Sequence, residues 1–157
     1  MKVGLGFDVH AFAPSRRLVL GGVEIPGHAG LSGHSDADVL CHAIGDALLG
    51  AAGLGDLGSN FPSDETWAGA SSLEILRVAA ERVADKGLAI DGIDATVVAE
   101  EPRLGPFQAE MRTTIATALS VDPDNVSIKV TSTDGLGSIG RGEGIASMAV
   151  AVLSPLG

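Results

Sequence analysis

Asp8-Val9-His10 places a carboxylate and an imidazole two residues apart, and His42 follows at a distance. On a strand, residues two apart point to the same face. Two histidines and one carboxylate make a three-ligand set for Zn²⁺ that leaves a fourth position open, the mark of a catalytic rather than a structural site. From the Asp-x-His motif alone, the alternative is a pair that satisfies loop hydrogen bonds. Asp38, His42 and Asp46 are spaced by four, so on a helix they share one face. Carboxylates flanking a ligand histidine can orient its ring and raise its basicity, which makes Asp38 and Asp46 candidates for that supporting role. A helix-capping aspartate on a solvated face is the competing reading of Asp38.

Other residues suit anions. His34 precedes a helix start, where free N–H groups and the helix dipole attract negative charge, so it could donate to a phosphate; an exposed loop histidine is the alternative. His28 has no supporting pattern and reads as a surface residue. Thr131-Ser132-Thr133-Asp134 offers three hydroxyls and a carboxylate at the entry to a glycine-rich loop, which suits a phosphate held with a divalent cation. An ordinary strand end with local side-chain bonds would look the same. Gly140-Arg141-Gly142-Glu143-Gly144 leaves open an anion-binding Arg141 or an Arg141–Glu143 ion pair.

These residues need elements to position them. Val3, Leu5 and Phe7 alternate with smaller residues over Met1 to Val9, predicting a half-buried strand. Ala11 to Arg17 reads as a loop, Leu18 to Pro26 as a short hairpin turning at Gly21-Gly22, and Gly27 to Gly33 as a second loop. Ser35 is the expected N-cap of a helix running to Ala52, with Val39, Ala43, Ala47 and Ala51 as its apolar stripe and Gly53 as its C-cap. Gly53 to Gly69 has no periodicity and reads as a functional or mobile loop. A helix from Ser71, with Glu74 completing a capping box, ends at Lys86-Gly87. Strand pattern follows over Leu88 to Ile90 and Ile93 to Glu100, a helix over Pro106 to Leu119, and strands over Val126 to Thr133 and Ile145 to Leu153. Asp134 to Gly144 reads as a loop. The last strand is almost wholly apolar, predicting burial on both faces, with a second subunit to cover the sheet. The order predicts a single α+β domain over residues 1–157, an α/β sandwich with helices packed on one face of one mixed sheet.

The 157 residues are 45% hydrophobic but only 3% aromatic, so the core must be built from Ala, Val, Leu and Ile. A net charge of −10 argues against nucleic-acid binding, which calls for a basic face. It also sets a problem for an anionic substrate, which needs bound cations or helix N-termini to offset the field. Cys41 is the only cysteine and reads as a buried, inert thiol. No signal-peptide pattern and no long apolar run is present, so no membrane partner and a cytoplasmic location are expected.

Six segments together resemble 2-C-methyl-D-erythritol 2,4-cyclodiphosphate synthases: Gly6-Phe7-Asp8-Val9-His10, Gly21 to Pro26, His34 to Val39, Asp46 to Ala52, Gly55 to Gly58 and Gly140 to Ala146. The resemblance spans the chain and implies a homotrimer with active sites between subunits. It implies conversion of 4-diphosphocytidyl-2-C-methyl-D-erythritol 2-phosphate to the cyclic diphosphate with release of CMP, in the non-mevalonate route to isoprenoids. A zinc-dependent phosphoester hydrolase is the alternative activity. By position, Asp8, His10 and His42 would hold Zn²⁺, and Asp134 a second cation, Mg²⁺ or Mn²⁺, beside the substrate diphosphate. His34 and Ser132 would steady the transition state. Ser35 would contact the substrate, and Asp56-Leu57-Gly58 and Phe61-Pro62-Ser63-Asp64-Glu65 would hold its methylerythritol part. Ala99-Glu100-Glu101-Pro102-Arg103-Leu104-Gly105, with Thr131 and Thr133, would receive the cytidine and its phosphates, and Arg141 a phosphate. The chain departs from the family pattern at Asp134, where glutamate is common, at Ser63-Asp64-Glu65, where Asp-x-Asp is common, and at Ser138, a wall position where an aromatic is common.

Overall fold

The computed structural model describes residues 1–157. Five strands form one sheet in the order β2-β1-β5-β3-β4, where β1 is Lys2–Leu20, β2 Val23–Leu31, β3 Leu88–Val98, β4 Val126–Thr131 and β5 Gly144–Pro155. Only β3 and β4 run parallel; β5 is antiparallel to both β1 and β3. Three long helices, α1 (Val39–Ala52), α3 (Ser72–Asp85) and α4 (Gln108–Leu119), supply the other layer. This is the expected mixed sheet with helices on one face.

The hairpin arms are longer than the sequence suggests. Ala11 to Arg17 continues β1, and Gly27 to Leu31 continues β2, because β1 changes partner midway: it pairs with β5 as far as Ala11, then with β2 from Phe12. Register shifts around Arg17 absorb the polar residues that obscure the strand pattern. Short helices, α2 (Leu57–Asn60) and α5 (Gly137–Gly140), interrupt the two expected loops. β4 stops at Thr131, two residues before the expected end.

Two helix starts also differ. Asp38, not Ser35, caps α1: its carboxylate accepts from the Cys41 N–H at 3.0 Å. At α3 the backbone turn begins at Ser71, but its hydroxyl makes no capping bond, and Glu74 turns to Arg77 instead of closing a capping box. The C-caps hold as read, with Gly53 in the left-handed region at φ 71°.

The faces of β1 are reversed from what its apolar pattern suggests. Val3, Leu5, Phe7 and Val9 point away from the helices and are 51–71% exposed. Gly4 and Gly6 form the face that meets α1, where a Cβ would overlap the carbonyl oxygens of Ala47 and Ala43. The glycines therefore let the helix lie directly on the strand. Met148 of β5, register partner of Phe7, is also exposed, so β5 is not buried on both faces within one chain. The core lies between the sheet and the helices, dominated by Leu, Ile, Val and Ala as the composition requires.

Candidate metal and phosphate site

The pleat that turns Gly4 and Gly6 toward α1 turns Asp8 and His10 the same way. Helix α1, held close by those glycines, presents His42 to them. Asp8 Oδ2 lies 2.8 Å from His10 Nε2 and 3.0 Å from His42 Nδ1. The two ring nitrogens are 3.2 Å apart. The three side chains are largely shielded from solvent and form a group that could hold a metal ion.

Hydrogen-bond accounting shows why a cation fits. His10 Nδ1 donates to the Ser32 carbonyl, which can only accept, so in the neutral ring Nε2 carries a lone pair. His42 Nε2 faces the hydroxyls of Ser35 and Ser72 at 3.0 and 3.1 Å, leaving Nδ1 to face Asp8. Ionised Asp8 brings only lone pairs. Three acceptors thus converge on one point, which a proton or a metal ion must occupy. Burial works to raise the Asp8 pKa, yet the two histidines hold the carboxylate well below its usual range. The hydrogen bond to Asp8 raises that of His10. Metal binding here therefore competes with protons.

The helix-face reading of Asp38 and Asp46 is corrected. Neither carboxylate bonds to His42. Asp38 is fully buried and accepts from the N–H groups of Gly21, Gly22 and Cys41, pinning the hairpin turn to the helix start. Burial raises its pKa despite those bonds. Asp46 accepts from the Leu57 N–H at 2.7 Å and so ties α1 to α2. Cys41 is buried, and desolvation with the Asp38 charge pushes its thiol pKa well up, as an inert thiol requires.

Beside the three-residue cluster, Ser35 is buried against His42. His34 donates from Nε2 to the Asp64 carbonyl at 2.8 Å, and its own carbonyl accepts from Gly69, so it fastens the Phe61–Glu65 loop. Phe61 itself turns inward and packs edge-on against Trp67 under the Arg82 guanidinium. Ala99 and Leu104 likewise give their side chains to the core, leaving backbone for any ligand. Asp56 is exposed and caps α2 through Ser59. Pro62, Ser63 and Glu65 are exposed beside it, as are Gly58, Arg103 and Gly105.

The Thr131 to Asp134 segment is not brought to the cluster within one chain. Asp8 pairs with Ser147, Ser147 with Val97, and Val97 with Val130, so three strand spacings, roughly 14 Å, separate them. Ser132 donates to Asp134, which stands at φ 53°. Glu100 accepts from Thr133 N–H, Thr133 hydroxyl and Gly135 N–H, and those bonds lower its pKa. Glu100, Glu101 and Arg141 line one cleft of about 550 Å³ together with Phe12 and His28. Arg141 pairs with Glu143 at 2.6 Å on its rim, and Ser138 is exposed on α5 nearby. His28, with its ring 4.9 Å from that of Phe12, is thus a cleft residue that no sequence pattern indicated. Arg16 was missed as well: its guanidinium holds the carbonyls of Gly33 and Ser35, shaping the turn before α1.

The model of the YgbB family matches residues 1–154. The 2-C-methyl-D-erythritol 2,4-cyclodiphosphate synthase of Symbiobacterium thermophilum is 54% identical over 155 residues, covering 98% of this chain and 99% of that one. The bifunctional enzyme IspD/IspF of Anaeromyxobacter dehalogenans is 53% identical over 98% of this chain, which spans 40% of that longer protein. Among solved structures, the bifunctional IspDF from Campylobacter jejuni superposes with a TM-score of 0.94 at 42% identity, over 98% of this chain and 42% of that one. The CDP complex of Plasmodium falciparum IspF superposes with a TM-score of 0.86 at 31% identity, over 99% and 97%.

Proposed function

The chain belongs to the YgbB family and has the cyclodiphosphate synthase activity of isoprenoid biosynthesis, and from that premise we propose how its residues carry the reaction. The substrate is 4-diphosphocytidyl-2-C-methyl-D-erythritol 2-phosphate. An oxygen of the 2-phosphate bonds to the β-phosphorus, the bond from that phosphorus to the α,β-bridging oxygen breaks, and CMP leaves with the electron pair. The nucleophile is already ionised, so no serine or cysteine attack is needed, and catalysis is positioning plus charge neutralisation. The converging lone pairs of Asp8, His10 and His42 are the observation that carries this reading.

Those three residues would hold Zn²⁺, which would supply a concentrated positive charge to offset the phosphate's. His34 and the loop it fastens hold the folded methylerythritol chain, so that the 2-phosphate is aligned with the β-phosphorus. Ser132 would turn its hydroxyl from Asp134 to a phosphate oxygen, and the Thr131 to Thr133 segment would receive the nucleotide's phosphates. Asp134 would hold the second cation, Mg²⁺ or Mn²⁺, which would offset charge on the substrate diphosphate. The backbone of Ala99 to Gly105 receives the cytosine, in keeping with the CDP bound by the Plasmodium falciparum relative. The two cations answer the repulsion expected from the net charge of −10.

The active unit is a homotrimer in the cytoplasm. Val3, Leu5, Phe7, Val9 and Met148 leave a contiguous apolar sheet face uncovered, the kind of patch that marks an interface. The roughly 14 Å between Asp8 and the Thr131–Asp134 segment within one chain supports a site completed by a neighbour's segment.

Incubation with the cytidylyl substrate tests the reading. CMP and the cyclic diphosphate should form in equal amounts, and a chelator or His42→Ala should stop both. Linear hydrolysis products with uptake of solvent oxygen would instead indicate a zinc-dependent phosphoester hydrolase.

A further inference from the structure

Behind His42, on the side away from Asp8, lies a buried polar chain that joins it to the start of α3. His42 Nε2 is 3.1 Å from Ser72 Oγ. Ser72 is 0% exposed and its hydroxyl hydrogen-bonds Asp36 Oδ1. The other Asp36 oxygen accepts from the Ser72 N–H at 2.9 Å. Asp36 therefore does what Ser71 does not: it caps α3, from outside the helix and from 36 residues earlier in the chain.

The direction of each proton follows from the donor inventory. An ionised carboxylate only accepts, so the single hydroxyl proton of Ser72 goes to Asp36. Ser72 Oγ can then only accept from His42, which places a proton on Nε2 and leaves the Nδ1 lone pair facing Asp8 and His10. Ser35 Oγ, 3.0 Å from the same Nε2, accepts from the Ala37 N–H and shares the bond. The ring is thus held in both rotation and tautomer by groups that never reach the metal position.

We propose that Asp36 and Ser72 are positioning residues that fix the metal-binding tautomer of His42, through an Asp36–Ser72–His42 chain anchored on the first turn of α3. The same anchor joins the metal cluster to the substrate loop. Asp36 N–H donates to the Ala70 carbonyl at 3.2 Å, and Gly69 N–H to the His34 carbonyl at 3.0 Å. The loop that ends at Ala70 and the ring of His42 therefore share one support. Outer partners of metal-bound histidines act in this way in general, and losing one costs about 10- to 100-fold in metal affinity.

The proposal rests on the metal-binding reading of Asp8, His10 and His42, and the experiment separates the two. Zn²⁺ affinity is measured by competition with a chromophoric chelator, and the Co²⁺-substituted protein is followed by its visible absorption. Measurements cover the wild type, His42→Ala, Ser72→Ala, Ser72→Thr and Asp36→Asn. Ser72→Ala and Asp36→Asn should each weaken Zn²⁺ binding about 10- to 100-fold and alter the Co²⁺ spectrum, while Ser72→Thr, which keeps the hydroxyl, should restore both. In the wild type, long-range ¹H–¹⁵N correlation of the histidine rings should show His42 protonated at Nε2 and metal-bound at Nδ1, a readout that needs no variant to fold. Wild-type affinity and spectrum in folded Ser72→Ala, or an Nδ1-protonated His42 in metal-free wild type that still binds Zn²⁺, overturn the positioning role while leaving the metal site standing. A wild type that binds neither ion, or binds both equally well after His42→Ala, overturns both readings.

Discussion

If the glycine face of β1 is what lets α1 deliver His42, then Gly6→Ala should damage the metal cluster from a position that touches none of its ligands. The added methyl overlaps the Ala43 carbonyl oxygen and crowds the Ala47 N–H, both backbone atoms of α1 that no rotamer change can move aside. Relief requires the helix to lift from the strand by on the order of 1 Å, since non-bonded heavy atoms settle near 3.5 Å. His42, adjacent to Ala43 on α1, moves outward with it while Asp8 and His10 stay on the strand. Overpacking of this kind costs about 1–3 kcal/mol. For a chain of this length that is a drop in Tm of roughly 2–12 °C. A displacement near 1 Å at a reacting centre costs about 10²-fold in rate, so kcat/KM should fall by about that factor, with Zn²⁺ affinity falling alongside. Gly50→Ala is the control, on the same helix with nothing within 4 Å of its added methyl. It should be neutral or stabilising by up to about 1 kcal/mol. Differential scanning fluorimetry, chelator competition and CMP release measure the three quantities. A Gly6→Ala protein with wild-type Tm and wild-type Zn²⁺ affinity would refute the idea that close strand–helix contact builds the site.

Three further outcomes are expected. Phe7→Asp places a charge in the middle of the exposed sheet face, so light scattering should show loss of the trimer and product formation should collapse with it; an unchanged mass would sink the interface. Asp134→Ala should raise the Mg²⁺ or Mn²⁺ concentration needed for half-maximal rate by roughly tenfold or more, the lower range for a lost metal-site partner, and an unchanged requirement would remove Asp134 from the second-cation role. Glu100, whose pKa the Thr133 and Gly135 N–H groups lower, contributes stability above the ordinary glutamate range that is lost as pH falls through its folded pKa. The Thr133 and Gly135 amide shifts should therefore titrate with a midpoint below that of a free glutamate, and a midpoint at or above it would contradict the bonding.

Much of the fold is legible because its long helices and inner strands follow simple periodicities. The stripe of Val39, Ala43 and Ala47 is buried, and β3, β4 and β5 fall close to where apolar pattern puts them. β1 resists the same logic for a physical reason. Its apolar residues alternate correctly, yet the alternation cannot say which face meets the core of this chain. Gly4 and Gly6 carry the inward face because close approach to α1 needs the absence of a side chain, and the outward apolar face answers to a partner. A glycine-alternating strand beside an alanine-rich helix is the signal that distinguishes the two cases, and both features are present in the sequence.

The metal cluster is legible to the extent that its residues obey strand geometry, as Asp8 and His10 do. The supports of His42 are not, and the reason lies in where α1 begins. Asp38 is four residues before His42 but occupies the N-cap, with ψ at 91° outside the helical range, so the rule that i and i+4 share a face does not reach it. Its carboxylate is committed to backbone donors, as caps generally are. Asp46 is truly helical, yet its carboxylate accepts from the Leu57 N–H and not from the His42 ring. The groups that do reach the ring, Ser35 and Ser72, come from a turn and from the first residue of α3. Such partners are selected by which backbone termini the fold brings together. In this chain they are the starts of α1 and α3, and Asp36, between His34 and the α1 cap, is the residue positioned to serve both.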